Sequence, residues 1–403
     1  MNRALIKTVL TVLVAVCVFD PADKILGLKV PLFAAAWALF LSGAIVSSGS
    51  LKVSKNVIAY LAVFLAIPVI SIVYYFATGT DFVNYDGFQY LKSYLFVTLV
   101  VILYAEKIDL TLSVVATLTV MSFISIALLV IGYADYSLVM SFYEKFAIPY
   151  GICSIGTRDF ARFILPDMPQ IFFHTATLLV IPVAYFTMKL LHSTGGARMV
   201  YALLAAVNIV AMFFGGTKSN IVFSLLTPVV VAYWYSKRKK LIFCCVIAIL
   251  AVLYIKFWSA IKVSVFNPEE SSNFYKLSFL GDYRVLFSNT SVLWFGEGLG
   301  SYFNTTLRGY VSLTEFTYLE FIRRFGLLLG VPSLALIFYP LSRLNCKECR
   351  ELHYLLLAYL CYLVMSFTNP LLMSSSGMLL LAVVLHKVFS SRSFSGGAAY
   401  ARL

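Results

Sequence analysis

Apolar runs long enough to approach or reach a bilayer's thickness recur twelve times along this chain, and that repetition constrains its fold more than any motif. They lie at residues 4–19, 28–48, 56–76, 90–105, 111–132, 169–191, 198–215, 219–236, 241–258, 314–341, 352–371 and 376–390. A spanning helix needs roughly 17–25 mostly apolar residues, so several runs sit at the short end of that range. The breaks between them carry turn residues: Asp20-Pro21, Gly79, Gly195-Gly196, Gly215-Gly216 and Asn369-Pro370. Composition agrees. The chain is 61% hydrophobic and 12% charged, where a soluble domain carries about 25% charged residues. In lipid every backbone polar group must be satisfied internally, which selects helices. The expectation is an all-α polytopic integral membrane helical bundle of about 12 transmembrane helices, forming one membrane domain over 1–403. Residues 4–19 follow Arg3 and Lys7 as a signal peptide would. No small-x-small cleavage site follows, so they read as a retained first helix.

The net charge of +13 invites a nucleic-acid partner, but its distribution argues otherwise. With the N-terminus inside and twelve alternating spans, 17 of the 31 basic residues but only four of the 18 acidic ones fall on the inner side. That side carries the whole excess, as positive-inside anchoring demands. The expected topology is therefore N-in and C-in, with no nucleic-acid partner. The basic run at 237–240 would sit against membrane lipid. Seven cysteines, mostly in or beside apolar runs, suggest no disulfide framework. Cys346, Cys349 and His353 offer three ligands where a structural zinc site wants four, so no metal and no cofactor is expected.

Two outer segments are long: a first loop at 133–168 and a second at 259–313. Long loops on short-looped bundles are usually functional. Their aromatic residues, Tyr143, Tyr150, Phe160 and Phe163 in the first and Phe274, Tyr275, Phe279, Tyr283, Tyr302, Phe303 and Tyr310 in the second, suit either an interfacial belt or stacking on sugar rings.

Chemistry-bearing residues cluster on this outer side. Arg158, Asp159 and Arg162 lie in the first loop; Asp282 and Arg284 lie in the second, before Phe295-Gly-Glu-Gly-Leu-Gly-Ser301. Arginines bind oxyanions bidentately and stay charged in dry sites. Gly296, Gly298 and Gly300 either bring backbone N–H groups to a phosphate or make a tight turn. Lys218 in a short outer turn adds a cation, and His174 reads as a packing residue or a base. Glu315, Glu320, Arg323 and Arg324 enter an apolar run, where charges default to function. Glu320 and Arg324 are four apart and can pair. Arg323 lies about 80° around the helix from Glu315. Ser312-x-x-Glu315 also matches a capping box, so Glu315 suits capping, catalysis or both.

Four pieces together resemble the bacterial O-antigen polymerase (Wzy) and O-antigen ligase superfamily. They are Gly215-Gly-Thr-Lys-Ser; Arg284 followed by the 295–301 glycine turn; Thr314-Glu-Phe-Thr-Tyr-Leu-Glu with Gly326 and Gly330; and Ser366-Phe-Thr-Asn-Pro370 with Ser374-Ser-Ser-Gly377. The resemblance covers mainly residues 200–390. It implies a GT-C-like bundle that transfers glycans on the periplasmic face between polyprenyl-pyrophosphate-linked oligosaccharides, without metal, alongside a chain-length regulator protein as a further partner. Glu315 stands where the ligases of the superfamily usually carry histidine, which favours polymerase over ligase. On this reading Glu315 is the catalytic base. Arg158, Arg162, Lys218, Arg284, Arg323, Arg324, Asp159, Asp282 and His174 bind substrate. A flippase or other transporter without catalysis is the rival of a different class; no paired-halves repeat supports it.

Overall fold

The computed structural model describes residues 3–46, 52–78, 86–156, 170–215, 217–265, 267, 271–345, 352–392 and 400–402. The described chain is all-α apart from three short two-stranded pairings. Each of the twelve apolar runs falls on a helix. These are α1 (Arg3–Phe19), α2 (Lys29–Val46), α3 (Lys55–Thr78), α4 (Gly87–Ala105), α5 (Thr111–Ala134), α6 (Ala176–His192), α7 (Gly195–Phe214), α8 (Lys218–Tyr235) and α9 (Lys239–Val265), then α12 (Thr317–Phe338), α13 (His353–Met365) and α14 (Ser375–Arg392). Two further helices, α10 (Ser271–Phe287) and α11 (Thr290–Phe295), lie between α9 and α12. Among the described residues, six helices are long and apolar enough to cross a membrane, and three apolar ones are shorter.

Some boundaries differ from expectation. The run at 169–191 opens with a strand, Gln170–Phe173, paired with Cys153–Gly156, so its helix starts at Ala176. The run at 352–371 stops being helical after Met365, where a series of turns leads to Asn369-Pro370. The second long loop is not a loop in structure. It holds the last residues of α9, all of α10 and α11, and a hairpin of Phe303–Thr305 with Gly309–Val311.

Burial shows where the centre lies. Residues 378–385 of α14 are all buried, and α13 is buried along most of its length. Elsewhere apolar side chains face outward, such as Ile45, Val73, Val130 and Leu203. An apolar outside is what a lipid solvent permits. Apolar packing drives little helix association in lipid, so polar contacts between helices matter more. Asn208 of α7 donates to Thr119 Oγ1 at 3.4 Å and accepts from Ser122 Oγ at 2.8 Å, tying α7 to α5. Lys29 Nζ donates to Pro21 O at 2.6 Å and Ser375 Oγ at 3.1 Å, tying the α1–α2 turn to α14.

The helix that positions the site is α12. It breaks at Gly326, whose φ of 65° and ψ of 179° lie outside every helical region. Only glycine adopts such a conformation readily. A Cβ at Gly326 would sit 2.2 Å from the Trp294 carbonyl oxygen, so α11 and the break are in backbone contact.

Candidate functional site

The break in α12 releases carbonyls that a continuous helix would use. The 295–301 glycine turn fills them: Glu297 N donates to Arg323 O at 2.7 Å and Gly298 N to Arg324 O at 3.1 Å. Ser71 of α3 completes the joint, donating to Arg324 O at 3.0 Å and accepting from Leu299 N at 2.8 Å. The glycines are needed for this approach; a Cβ on Gly296 would meet Gly326 N at 2.5 Å. The amides of Glu297 and Gly298 are thus committed to the helix break, and of the two readings of these glycines the tight turn is the one formed. Non-helical backbone in an apolar bundle is tolerated where protein satisfies it in this way.

Immediately before the break lies a buried ion cluster. Glu320, Arg323 and Arg324 are each fully buried. Glu320 Oε2 accepts from Arg323 Nη2 at 2.8 Å and from Arg324 Nε at 3.0 Å, so the expected pairing four residues apart is present. Its other oxygen accepts from Tyr283 Oη at 2.5 Å and Thr314 Oγ1 at 3.1 Å. Burial, and then the Glu320 carboxylate, push the Tyr283 phenol well above its ordinary range, so it stays protonated and donates. Arg323 Nη1 donates to Glu297 Oε2 and Ser301 Oγ, both at 2.9 Å. Arg324 stacks over the Tyr90 ring at 3.9 Å and donates to Ser312 O. Two guanidinium groups and two carboxylates balance in formal charge. All three nitrogens of Arg323 have acceptors inside the protein. The sequence reading placed Arg323 and Arg324 on substrate; here they brace the break and the turn.

Glu315 is a different kind of group. Its side chain is 39% exposed, and Lys276 Nζ of α10 lies 3.7 Å from Oε2. The capping box is not formed, since α12 begins at Thr317 and the residue before it, Phe316, caps with no side-chain bond. Phe316 is instead drawn into a small apolar core with Phe279, Tyr283 and Phe303. That pull takes its backbone out of helical geometry and leaves Glu315 at the rim.

Around Glu315 three of the four motif segments meet, with residues 273–276 of α10 beside them. Lys218 Nζ, at the start of α8, donates to Asn273 Oδ1 of α10 at 3.2 Å. Asn369 Nδ2 donates to Ser219 Oγ at 2.9 Å, and Thr317 Oγ1 donates to Asn369 O at 3.0 Å. The rim therefore joins residues 217–220, 273–276, 314–317 and 366–370, with one carboxylate and two ammonium groups. Lys276 and Asn273 were not singled out from the sequence. A signal existed: Lys276 stands three and seven residues before Phe279 and Tyr283, on the stripe that α10 buries.

The remaining candidates lie apart. Arg158, Asp159 and Arg162 fall outside the described residues. Arg284 is exposed, about 100° around α10 from buried Tyr283, so the structure does not gather it with Arg323. Asp282 accepts from Thr306 N at 3.2 Å and Thr306 Oγ1 at 2.5 Å, and so holds the hairpin turn. His174 follows the Gln170–Phe173 strand, and its amide donates to Ile152 O at 3.2 Å. Among the described residues no group of three or more His, Cys, Asp or Glu could hold a metal; Cys346 and Cys349 lie outside them. In comparisons with known proteins, no family model, no curated protein and no solved structure matches this chain.

Proposed function

We propose that the chain is a polysaccharide polymerase of the bacterial inner membrane. It joins polyprenyl-pyrophosphate-linked oligosaccharides on the periplasmic face, in a GT-C-like bundle of twelve spans with both termini inside. The observation that carries this reading is the rim itself: a part-exposed carboxylate at Glu315 beside the ammonium of Lys276 of α10, with Lys218 of α8 hydrogen-bonded to Asn273 of α10. Three of the four motifs that suggested the family from sequence lie side by side there, joined through Ser219, Thr317 and Asn369.

The chemistry needs few groups. Glu315 takes the proton of an acceptor sugar hydroxyl, whose oxygen forms a bond to the anomeric carbon of the donor. The bond from that carbon to the pyrophosphate oxygen breaks, and the electron pair leaves with the pyrophosphate. The leaving group is already ionised and needs charge neutralisation, which Lys218 and Lys276 supply. The buried Glu320–Arg323–Arg324 cluster keeps the floor of the rim rigid.

Purified protein in liposomes, given lipid-linked repeat units and a metal chelator, should yield a ladder of glycan polymers with release of polyprenyl pyrophosphate. Repeat units that cross the bilayer without being joined would establish the transporter instead. The topology has its own test. A cysteine replacing Ser271 should react with an impermeant thiol reagent from outside, and one replacing Ser236 should not; outside labelling at 236 would overturn the orientation.

A further inference from the structure

The hairpin between α11 and α12 carries an arginine that the proposed chemistry does not use. Arg308 is exposed at the hairpin turn. Its guanidinium carbon lies 4.6 Å from the centre of the Tyr275 ring and 5.5 Å from that of Phe279. Phe279 is buried in the small apolar core, and Tyr275 packs on that core, so this shelf is fixed. The turn is fixed as well. Arg308 N donates to Thr305 Oγ1 at 3.2 Å, and Thr305 Oγ1 donates to Gly309 O at 2.9 Å. The nearby carboxylate, Asp282, is taken by Thr306. Among the described residues no hydrogen-bond acceptor or carboxylate meets the Arg308 side-chain N–H groups.

An arginine stacked on aromatic rings keeps its charge and its planar fork of donors while losing little freedom on binding. A fork held this way matches an anion with two oxygens in one plane. Tyr275 also adjoins Lys276, which pairs with Glu315, so the fork lies one residue along α10 from the rim. On the same hairpin Tyr310 is 68% exposed and presents an aromatic face to solvent.

We propose that Arg308 on its Tyr275–Phe279 shelf is a recognition site for an oxyanion carried by the glycan: the carboxylate of an acidic sugar or a phosphate substituent. It would select acidic repeat units and hold them beside the reacting groups without touching the bond that changes. The glycan as source of the oxyanion rests on the function proposed above; the oxyanion site does not.

Binding of glucuronate and of inorganic phosphate, with glucose as the neutral control, tests it by saturation-transfer NMR on the full chain. Phosphatidylcholine nanodiscs and maltoside micelles provide the two settings. Glucuronate or phosphate should bind in both, and glucose should not. Arg308→Ala should weaken binding about tenfold or more, as loss of a charged donor does. Arg308→Lys should rescue it only partly. Tyr275→Leu should weaken it several-fold and Tyr275→Phe should leave it unchanged, since the ring face is what orients the arginine. Which anion binds tells an acidic sugar from a phosphorylated one. Binding that survives Arg308→Ala would overturn the proposal. So would binding in micelles alone, because lipid headgroup phosphates would then be the natural occupant. No step of the assay reads polymer, so failure of the polymerase reading is separately visible.

Discussion

Glu320→Ala should lower the stability of the protein by about 3–5 kcal/mol, the usual result of removing one partner from a buried ion pair. Most of that cost is the charge left behind. Without Glu320, Arg323 keeps Glu297 at 2.9 Å, but Arg324 loses the carboxylate on its Nε. Arg323 then has one carboxylate, which is 25% exposed, and Arg324, as unexposed as Arg323, is left without an ion pair among the described residues. The Tyr283 phenol loses its 2.5 Å acceptor as well, which loosens α10. The effect should appear as a lower heating midpoint for the solubilised protein, followed by size-exclusion chromatography. Glu297→Ala should cost less, because water reaches that side chain. If Glu320→Ala and wild type melt together, the cluster does not hold the break in α12.

Glu315→Gln, by contrast, should leave folding intact and cut polymer formation by about 10²–10⁴-fold, the range for loss of a general base. The geometry separates the two acids. Glu315 caps no helix, and its closest charged partner, Lys276, is 3.7 Å away at a rim open to solvent. An exposed pair of that kind contributes about 0–1 kcal/mol. Glutamine keeps the shape and the polarity but cannot accept the proton. Polymer length on a gel, normalised to membrane protein level, is the readout. A glutamine variant that makes wild-type ladders would move the search for the base to Asp159, Asp282 or His174. The expected division is that one acid governs stability and the other turnover, although they stand five residues apart in one motif.

Much of the helical fold was legible because its signal is local. A run such as 111–132 is apolar on all sides, and its helix, Thr111–Ala134, follows it to within two residues. The partner of Glu320 was legible for the same reason, since residues four apart share a helix face. The boundary at 314–317 was not. Ser312 and Glu315 have the spacing of a capping box, yet Phe316 is drawn toward Phe279 and Tyr283, some thirty residues earlier. The Ser312 carbonyl faces Arg323 and Arg324. A capping pattern counts only neighbours and cannot register such a pull.

The glycine turn makes the same point in the other direction. Gly296 and Gly298 were visible as residues that let backbone come close, but to what was not. Spacing says that N–H groups are free to approach an acceptor. It does not say whether the acceptor is a phosphate or a carbonyl released by a break in another helix.

From sequence alone came the helical class and the positions of the apolar segments. These depend on composition and on periods within one helix, and lipid leaves the backbone no alternative. Tertiary structure decided which charges are buried braces and which stand at an open rim. Arg323 and Lys276 are both cations among aromatic residues, yet one is sealed and the other is open. The difference is set by the packing of α10, the glycine turn and α12 against one another. Those contacts join residues about 20 to 40 positions apart, beyond the reach of any local period.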